Sequence, residues 1–365
     1  MPTRADYEFM AEAVRIAKRG LFTADPNPRV GCVIVKEGAV VGRGWHQWAG
    51  QAHAEVNALA DAGEAARGAT AYVTLEPCCH FGKTPPCVQA LIAASVKRVV
   101  VAMQDPHDLV AGRGIAQLRE AGMEVEVGVL EAQARALNPG FIHRCEHQRP
   151  WVRCKMAMSL DGRTALANGE SQWITSEASR RDVHYWRARS SAVLTGSGTV
   201  CADNPRLTAR LHNIDETEVQ QPWRIILSKD LKIPSSSQLL HSEGGAVLIY
   251  HAEHGQQALL NDVSQTQCAV VGIKEEQLDL HAVLADLAQR QINEVLVEAG
   301  ATLAGAFLRA GLVDELLVYM APHVMGDRAR GLFHLPGIET MSQRYALKIA
   351  DVRQFGPDLR IILHS

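Results

Sequence analysis

The residues whose types and spacing can do chemistry concentrate in one broken stretch. His53-Ala54-Glu55 comes first, and Glu76-Pro77-Cys78-Cys79-His80-Phe81-Gly82-Lys83-Thr84-Pro85-Pro86-Cys87 follows it. One imidazole and two thiolates can hold a zinc ion and leave its fourth position to water, the pattern of a catalytic zinc site. The H-x-E and P-C elements match the zinc deaminase signature. Its second thiol usually follows as P-C-x-x-C, whereas here it is Cys87. Cys78, directly after the proline, takes the ligand role ahead of Cys79, which packs beside it. The expected metal set is therefore His53, Cys78 and Cys87. Zinc lowers the pKa of its water from about 15.7 to about 7. Glu55 is placed to take the water's proton and to deliver it to a ring nitrogen and then to leaving ammonia, a shuttle worth roughly 10²–10⁴-fold. A purely structural zinc would need a fourth protein ligand, for which Cys79 or His80 could serve.

The elements that must position these residues are legible nearby. Apolar positions over 6–19 recur at helical spacing and stop at Gly20. Two strands follow, Val30 to Val35 and Ala39 to Gly44, joined by Glu37-Gly38. Between helix and strand, the prolines of Asp25-Pro26-Asn27-Pro28 stiffen a loop that can aim the Asn27 amide. His53 opens a short helix, 71–75 is a strand running into Glu76-Pro77-Cys78, and 86–95 and 113–121 are helices around a strand at 98–103. Strands alternating with helices predict an α/β/α domain. A helical segment, 131–147, ends before Pro150, where the first domain (1–149) gives way to the second (150–365).

The second half predicts strands at 151–158, 192–195, 223–228, 246–250, 268–273, 294–298, 313–321 and 346–363, with helices at 176–190, 279–291 and from Gly300 to about 310. Residues 210–221 read as a polar surface loop. Two small-residue stretches could take a dinucleotide phosphate. Gly196-Ser197-Gly198-Thr199 is a loop after a strand, and Gly300-Ala301-Thr302-Leu303-Ala304-Gly305 opens a helix whose N–H groups favour a pyrophosphate. Neither is the G-x-G-x-x-G of a Rossmann domain.

Composition narrows the function. The chain has 365 residues, 47% of them hydrophobic, a formal net charge of −3 and 5% aromatics. That balance argues against a nucleic-acid partner. No charge-free apolar run is long enough for a bilayer, and eight irregularly spaced cysteines fit reduced thiols in the cytoplasm.

The chain resembles the bifunctional riboflavin-biosynthesis deaminase/reductase family over nearly its whole length. In the first half the resemblance rests on Asn27-Pro28-x-Val30-Gly31-Cys32-Val33, His53-Ala54-Glu55 and the stretch from Glu76 to Cys87, whose long thiol spacing is this family's form. In the second half it rests on Lys155-x-Ala157-x-Ser159-x-Asp161-Gly162-Arg163, Ser171 to Thr175, Ala202-Asp203-Asn204-Pro205-x-Leu207-Thr208 and Glu298-Ala299-Gly300-x-Thr302-Leu303. One departure is the stretch Asp105-Pro106-His107-Asp108, where the family usually has Asp-Pro-Asn-Pro.

The resemblance implies an α/β chain: a cytidine-deaminase-like α/β/α domain, then a dihydrofolate-reductase-like domain. It implies deamination of 2,5-diamino-6-(5-phosphoribosylamino)pyrimidin-4-one, then reduction of the ribosyl group to ribityl. Zinc and NADPH are the implied cofactors. Asn27, His46, His80 and Lys83 would meet the pyrimidine substrate. NADPH would lie on Ala157, Trp173, Thr199, Asp203 and the run Gly300, Ala301, Thr302, Leu303, Ala304, Gly305 and Ala306. Lys155, Ser171, Leu207 and Glu298 would meet the second substrate, with Arg187 and Arg210 for its phosphate and Asp203 for acid/base work. The expected partner is thus a small phosphoribosyl pyrimidine, and the expected assembly a homodimer. A nucleoside or nucleic-acid deaminase with an unrelated appendage, and a reductase half without activity, are the competing readings.

Overall fold

Two-sided burial dictates the first sheet. The computed structural model describes residues 1–81, 85–212, 214–252 and 266–365. They divide into two units, Met1–Gln148 and Arg149–Ser365.

The first unit runs α1 (Arg4–Ala17), β1 (Gly31–Lys36), β2 (Ala39–Trp45), α2 (Ala54–Ala62), β3 (Thr70–Val73), α3 (Cys87–Ala93), β4 (Arg98–Val101), α4 (Arg113–Glu120), β5 (Glu124–Val127), α5 (Glu131–Leu137) and α6 (Pro139–His147). Strand order is β2-β1-β3-β4-β5, with β1 antiparallel to both neighbours and β3, β4 and β5 parallel. Successive strand residues point to opposite faces. Cys32, Ile34, Ala71, Val73, Val99 and Val101 pack under α2, α3 and α4. Val33, Val35, Tyr72 and Val100 pack under α1, α5 and α6. This is the expected α/β/α layering. The helical segment 131–147 is broken in two at Asn138-Pro139. β5 was not expected, because its Glu-Val-Glu-Val sequence is half charged; as an edge strand it tolerates that.

The second unit runs β6 (Trp151–Ser159), β7 (Arg163–Ala165), α7 (Glu177–Arg189), β8 (Ala192–Gly196), α8 (Ser197–Asp203), β9 (Trp223–Leu227), α9 (Gln238–His241), β10 (Val247–His251), β11 (Thr266–Val270), β12 (Ile273–Lys274), β13 (Gln277–Leu278), α10 (Leu280–Gln289), β14 (Glu294–Glu298), α11 (Ala301–Arg309), β15 (Glu315–Ala321), β16 (Arg330–Gly331), β17 (Lys348–Phe355) and β18 (Asp358–His364). Its main sheet has the order β11-β10-β9-β8-β14-β6-β15-β18-β17. The strands from β11 to β15 are parallel, and β18 and β17 are antiparallel additions. One face buries Val152, Cys154, Leu194 and Val297 under α10 and α11; the other buries Val193, Leu296 and Tyr319 under α7 and α8.

Two expectations change here. The single strand region 346–363 is a hairpin turning at Gly356. The expected loop Gly196 to Thr199 is the end of β8 and the start of α8. Its glycines hide the helix, but Val200 anchors it in the core.

Candidate active sites

In the first unit, the zinc residues come from three element ends. His53 caps α2 at its N-terminus, Cys78 follows β3, and Cys87 is the first residue of α3. A close approach sets α2: a Cβ on Gly44 in β2 would stand 2.2 Å from the Ala54 carbonyl oxygen, so only glycine lets the helix lie this near. The donor atoms of His53, Cys78 and Cys87 all lie within 4.8 Å of one another. His53 Nδ1 is 3.3 Å from Cys87 Sγ and 3.5 Å from Cys78 Sγ. Among the described residues these three form the one His/Cys/Asp/Glu group fit for a metal. Cys79 turns away, its Sγ 3.8 Å from the Leu109 carbonyl, and His80 is exposed. One imidazole and two thiols converging, with no fourth His, Cys, Asp or Glu ligand among the described residues, fit a catalytic zinc.

Electrostatics agree with metal binding. The Cys87 thiol's hydrogen bond, helped by His53, lowers Cys78 to about 4 despite burial. The Cys87 N–H also donates to Cys78 Sγ at 3.3 Å. Cys87 is pushed up, chiefly because its proton is given to Cys78, and by burial and Glu55. A metal cation would take the place of that shared proton. Glu55, only 3% exposed, is raised to about 7 by burial and by the Cys78 charge. A carboxyl poised near neutrality suits proton transfer in both directions.

Asn27 and His46 are adjacent: the Asn27 amide lies 3.0 Å from His46 Nε2. His46 Nδ1 in turn faces the Ala52 carbonyl at 3.2 Å, and the ring is buried. Both ring nitrogens of His46 are thus engaged, one of them with the Asn27 amide. Lys83 lies outside the described residues.

Sequence reasoning missed Glu76. Its buried carboxylate accepts four backbone N–H groups: Asp105 (3.1 Å), Gly112 (2.9 Å), Gly114 (2.9 Å) and Ile115 (3.1 Å). It ties the Pro77-Cys78 turn to the start of α4. A Cβ on Gly114 would meet the Pro77 carbonyl oxygen at 2.1 Å. The departure at His107-Asp108 thus sits in a turn fastened by Glu76. Burial raises Asp105 in the same turn to about 7.

In the second unit a cleft of about 1750 Å³ opens at the carboxyl ends of the parallel strands, where open α/β sheets bind ligands. Lys155, Ala157, Ser171, Trp173, Arg187, Thr199, Asp203, Leu207, Arg210 and Glu298 all line it, with Gly300, Ala301, Thr302, Leu303 and Ala306. Ala304 and Gly305 do not, contrary to expectation. The helical turn points Ala304 into the core, and a Cβ on Gly305 would meet the His334 carbonyl oxygen at 2.3 Å. The N-terminal turn of α11 with Gly198 and Gly300, around which nothing would touch an added Cβ, makes a cradle suited to a dinucleotide phosphate.

Arg187 and Glu298 pair at the cleft floor, at 2.6 and 2.8 Å. Arg187 is no solvated helix residue: its guanidinium lies in the cleft lining, paired with Glu298. Lys155 is lowered by burial, although Glu298 opposes the shift. Asp203 ends α8, exposed to the cleft. Leu207 is buried in the left-handed backbone region, φ 56°. Sequence reasoning also missed His184, which lies within hydrogen-bond distance of Thr208 and Arg210. Its spacing from Arg187, one turn along α7, was the available signal.

Two family models match: the cytidine and deoxycytidylate deaminase zinc-binding region over residues 3–103, and the RibD C-terminal domain over residues 150–361. The riboflavin biosynthesis protein RibD of Escherichia coli is 47% identical over 362 residues, covering 97% of this chain and 98% of that one. The chain belongs to the RibD family. It is a bifunctional riboflavin-pathway enzyme, a deaminase and a reductase, with zinc and NADPH as cofactors. The solved Acinetobacter baumannii RibD superposes with a TM-score of 0.93 at 47% identity, 99% of each chain being covered. A Thermotoga maritima diaminohydroxyphosphoribosylaminopyrimidine deaminase/5-amino-6-(5-phosphoribosylamino)uracil reductase superposes with a TM-score of 0.86 at 32% identity, covering 99% of this chain and 98% of that one. The family fold is accordingly a deaminase α/β/α domain followed by a dihydrofolate-reductase-like domain. Among the described residues no helix is long and apolar enough to cross a membrane.

Proposed function

We propose that residues 1–149 deaminate 2,5-diamino-6-(5-phosphoribosylamino)pyrimidin-4-one and that residues 150–365 reduce the ribosyl group of the product, giving 5-amino-6-(5-phosphoribitylamino)uracil. The observation that carries this is the convergence of His53, Cys78 and Cys87 within 4.8 Å beside the buried Glu55.

His53, Cys78 and Cys87 hold the zinc. Zinc, when bound, supplies the Lewis acidity that brings water's pKa down to about 7. Glu55 takes one proton of the attacking water and gives it to the pyrimidine ring nitrogen, then takes the second proton from the hydroxyl now on the ring carbon and gives it to the amine, which leaves as ammonia as the C–N bond breaks and the carbonyl forms. Asn27, its neighbour His46 and the exposed His80 contact the pyrimidine substrate, and the resemblance adds Lys83 to that set.

NADPH, when bound in the cleft, would supply the hydride for reduction at C1′ of the ribose. The N-terminal turn of α11 (Gly300 to Leu303) and Ala306 would hold it at its phosphates, with Ala157, Trp173 and Thr199 as further contacts. Asp203 moves the proton that opens the ribose ring to the imine. Lys155, Ser171, Leu207 and Glu298 surround the sugar, and Arg210, exposed at the cleft edge, meets the substrate phosphate. Arg187 supports the site through Glu298.

The enzyme works as a homodimer in the cytoplasm. The exposed Ile349 and Val352 on edge strand β17 support the first, and eight free cysteines the second. A steady-state assay on the diaminopyrimidine phosphate, following ammonia and NADPH separately, tests the reading. Ammonia release ahead of NADPH oxidation is expected; NADPH oxidation without ammonia would overturn it.

A further inference from the structure

α7 begins at a fixed point. Its N-cap, Ser176, donates from its backbone N–H and from its hydroxyl to Asp358 Oδ2, each at 2.7 Å, and the Ser179 hydroxyl donates to the same oxygen at 2.6 Å. Asp358 is the first residue of β18 and is buried. The start of the helix is therefore fastened to the β17–β18 turn. The chain entering α7 folds back over its first turn. Arg180 Nη1 donates to the Thr175 carbonyl at 2.6 Å, and Arg180 Cζ lies 4.4 Å from the centroid of the Trp173 ring. Trp173, Thr175 and Arg180 all line the cleft of the second unit.

This is a polar form of a common helix start. An apolar residue just before the N-cap often packs on the fourth helical position and fixes the entry angle of the chain. Here those two positions hold Thr175 and Arg180, joined by a hydrogen bond instead. Arginine suits the place, because a planar guanidinium can stack on an aromatic face and still donate in its own plane. Trp173 needs such a support. It stands on a stretch without helix or strand, and its ring is 69% exposed. An unsupported indole there would sample several rotamers, and a ligand that used it would have to order it first, with a loss of affinity. The stacked Arg180, carried by a fastened helix, supplies that order before the ligand arrives.

We propose that Arg180 is a positioning residue for the cofactor: stacked on Trp173 and tied to Thr175, it holds the indole at the cleft in the orientation in which Trp173 contacts NADPH. The inference rests on the reading of Trp173 as a cofactor contact. It makes NADPH affinity depend on a cation that does not itself touch the cofactor, and the bond from Ser176 to Asp358 gives that cation a fixed base.

The test is equilibrium binding of NADPH to the full, zinc-loaded chain by titration calorimetry, beside steady-state reductase kinetics. For a cation over an exposed ring, Arg180→Met should weaken NADPH roughly 2–5-fold, raise the KM for NADPH in the same proportion and change kcat at saturating NADPH less than about twofold. Arg180→Lys keeps the charge without the planar fork and should recover only part of the affinity. It also keeps the test available if Arg180→Met misfolds. Trp173→Ala supplies the other arm of a double-mutant cycle. It should weaken NADPH by itself, and in its background Arg180→Met should have no further effect. If Trp173→Ala binds NADPH as wild type does, the reading of Trp173 is wrong and the proposal falls with it. If Trp173→Ala weakens NADPH while Arg180→Met does not, or if Arg180→Met weakens NADPH equally with and without the indole, the positioning role is overturned.

Discussion

Arg187 closes its fork on Glu298, Nε to Oε1 at 2.6 Å and Nη2 to Oε2 at 2.8 Å, with the side chains 14% and 11% exposed. A pair this buried is costly to break from one side, because the remaining charge keeps its desolvation without its partner. Arg187→Met should destabilise the chain by about 3–5 kcal/mol and abolish NADPH oxidation. Thermal unfolding of the variant beside wild type checks this. An unchanged Tm would show that the pair is solvated.

Glu76 is expected to govern the zinc site from a distance. Glu76→Gln turns an acceptor of four N–H groups into a side chain that must aim its own NH₂ at some of them. Each unsatisfied group costs about 1–3 kcal/mol. Ammonia release should fall and zinc should be lost more readily to a chelator, while reduction of supplied deaminated substrate persists. Zinc retained as in wild type, with full deamination, would remove Glu76 from the account of the site.

Asp6 gives a pH prediction. Its carboxylate, 1% exposed, caps α1 with Thr3, accepts from Tyr72 and pairs with Arg98 at 2.6 Å. Burial alone would raise it, but Arg98, Thr3 and Tyr72 hold it well below the usual carboxylate range. The unfolded chain therefore binds the proton at higher pH than the folded one. The contribution is complete above the unfolded value of about 3.9 and is lost as pH falls toward the folded value. Asp6→Asn should lower Tm at pH 7, and the difference from wild type should shrink below about pH 4. A difference that stays constant with pH would contradict the assignment.

Asp203→Ala should stop NADPH oxidation and leave ammonia release unchanged. Separate readouts of the two activities check this, and joint loss would point to misfolding instead.

The zinc set and both layered units were legible because their signals are local: an H-x-E pair, a thiol after a strand and another opening a helix, strands of Val and Ile. Several site features were not. Glu76 acts through backbone N–H groups 29 to 39 residues away, which carry no side-chain signature. The Arg187–Glu298 pair carries no sequence signal, because the two residues, 111 apart, are neighbours only in the folded unit. The His46–Asn27 contact joins residues 19 apart on different elements, which no local pattern announces. Ala304 and Gly305 fell inside a glycine-rich run, but one helical turn aims them away from the cleft.

The most direct measurement is ammonia release by Glu55→Gln with its zinc content determined on the same sample. Stoichiometric zinc with deamination reduced roughly 10²–10⁴-fold is expected, together with undiminished reduction of supplied deaminated substrate. Zinc retained and ammonia released at the wild-type rate would contradict the assignment of Glu55 as the proton carrier.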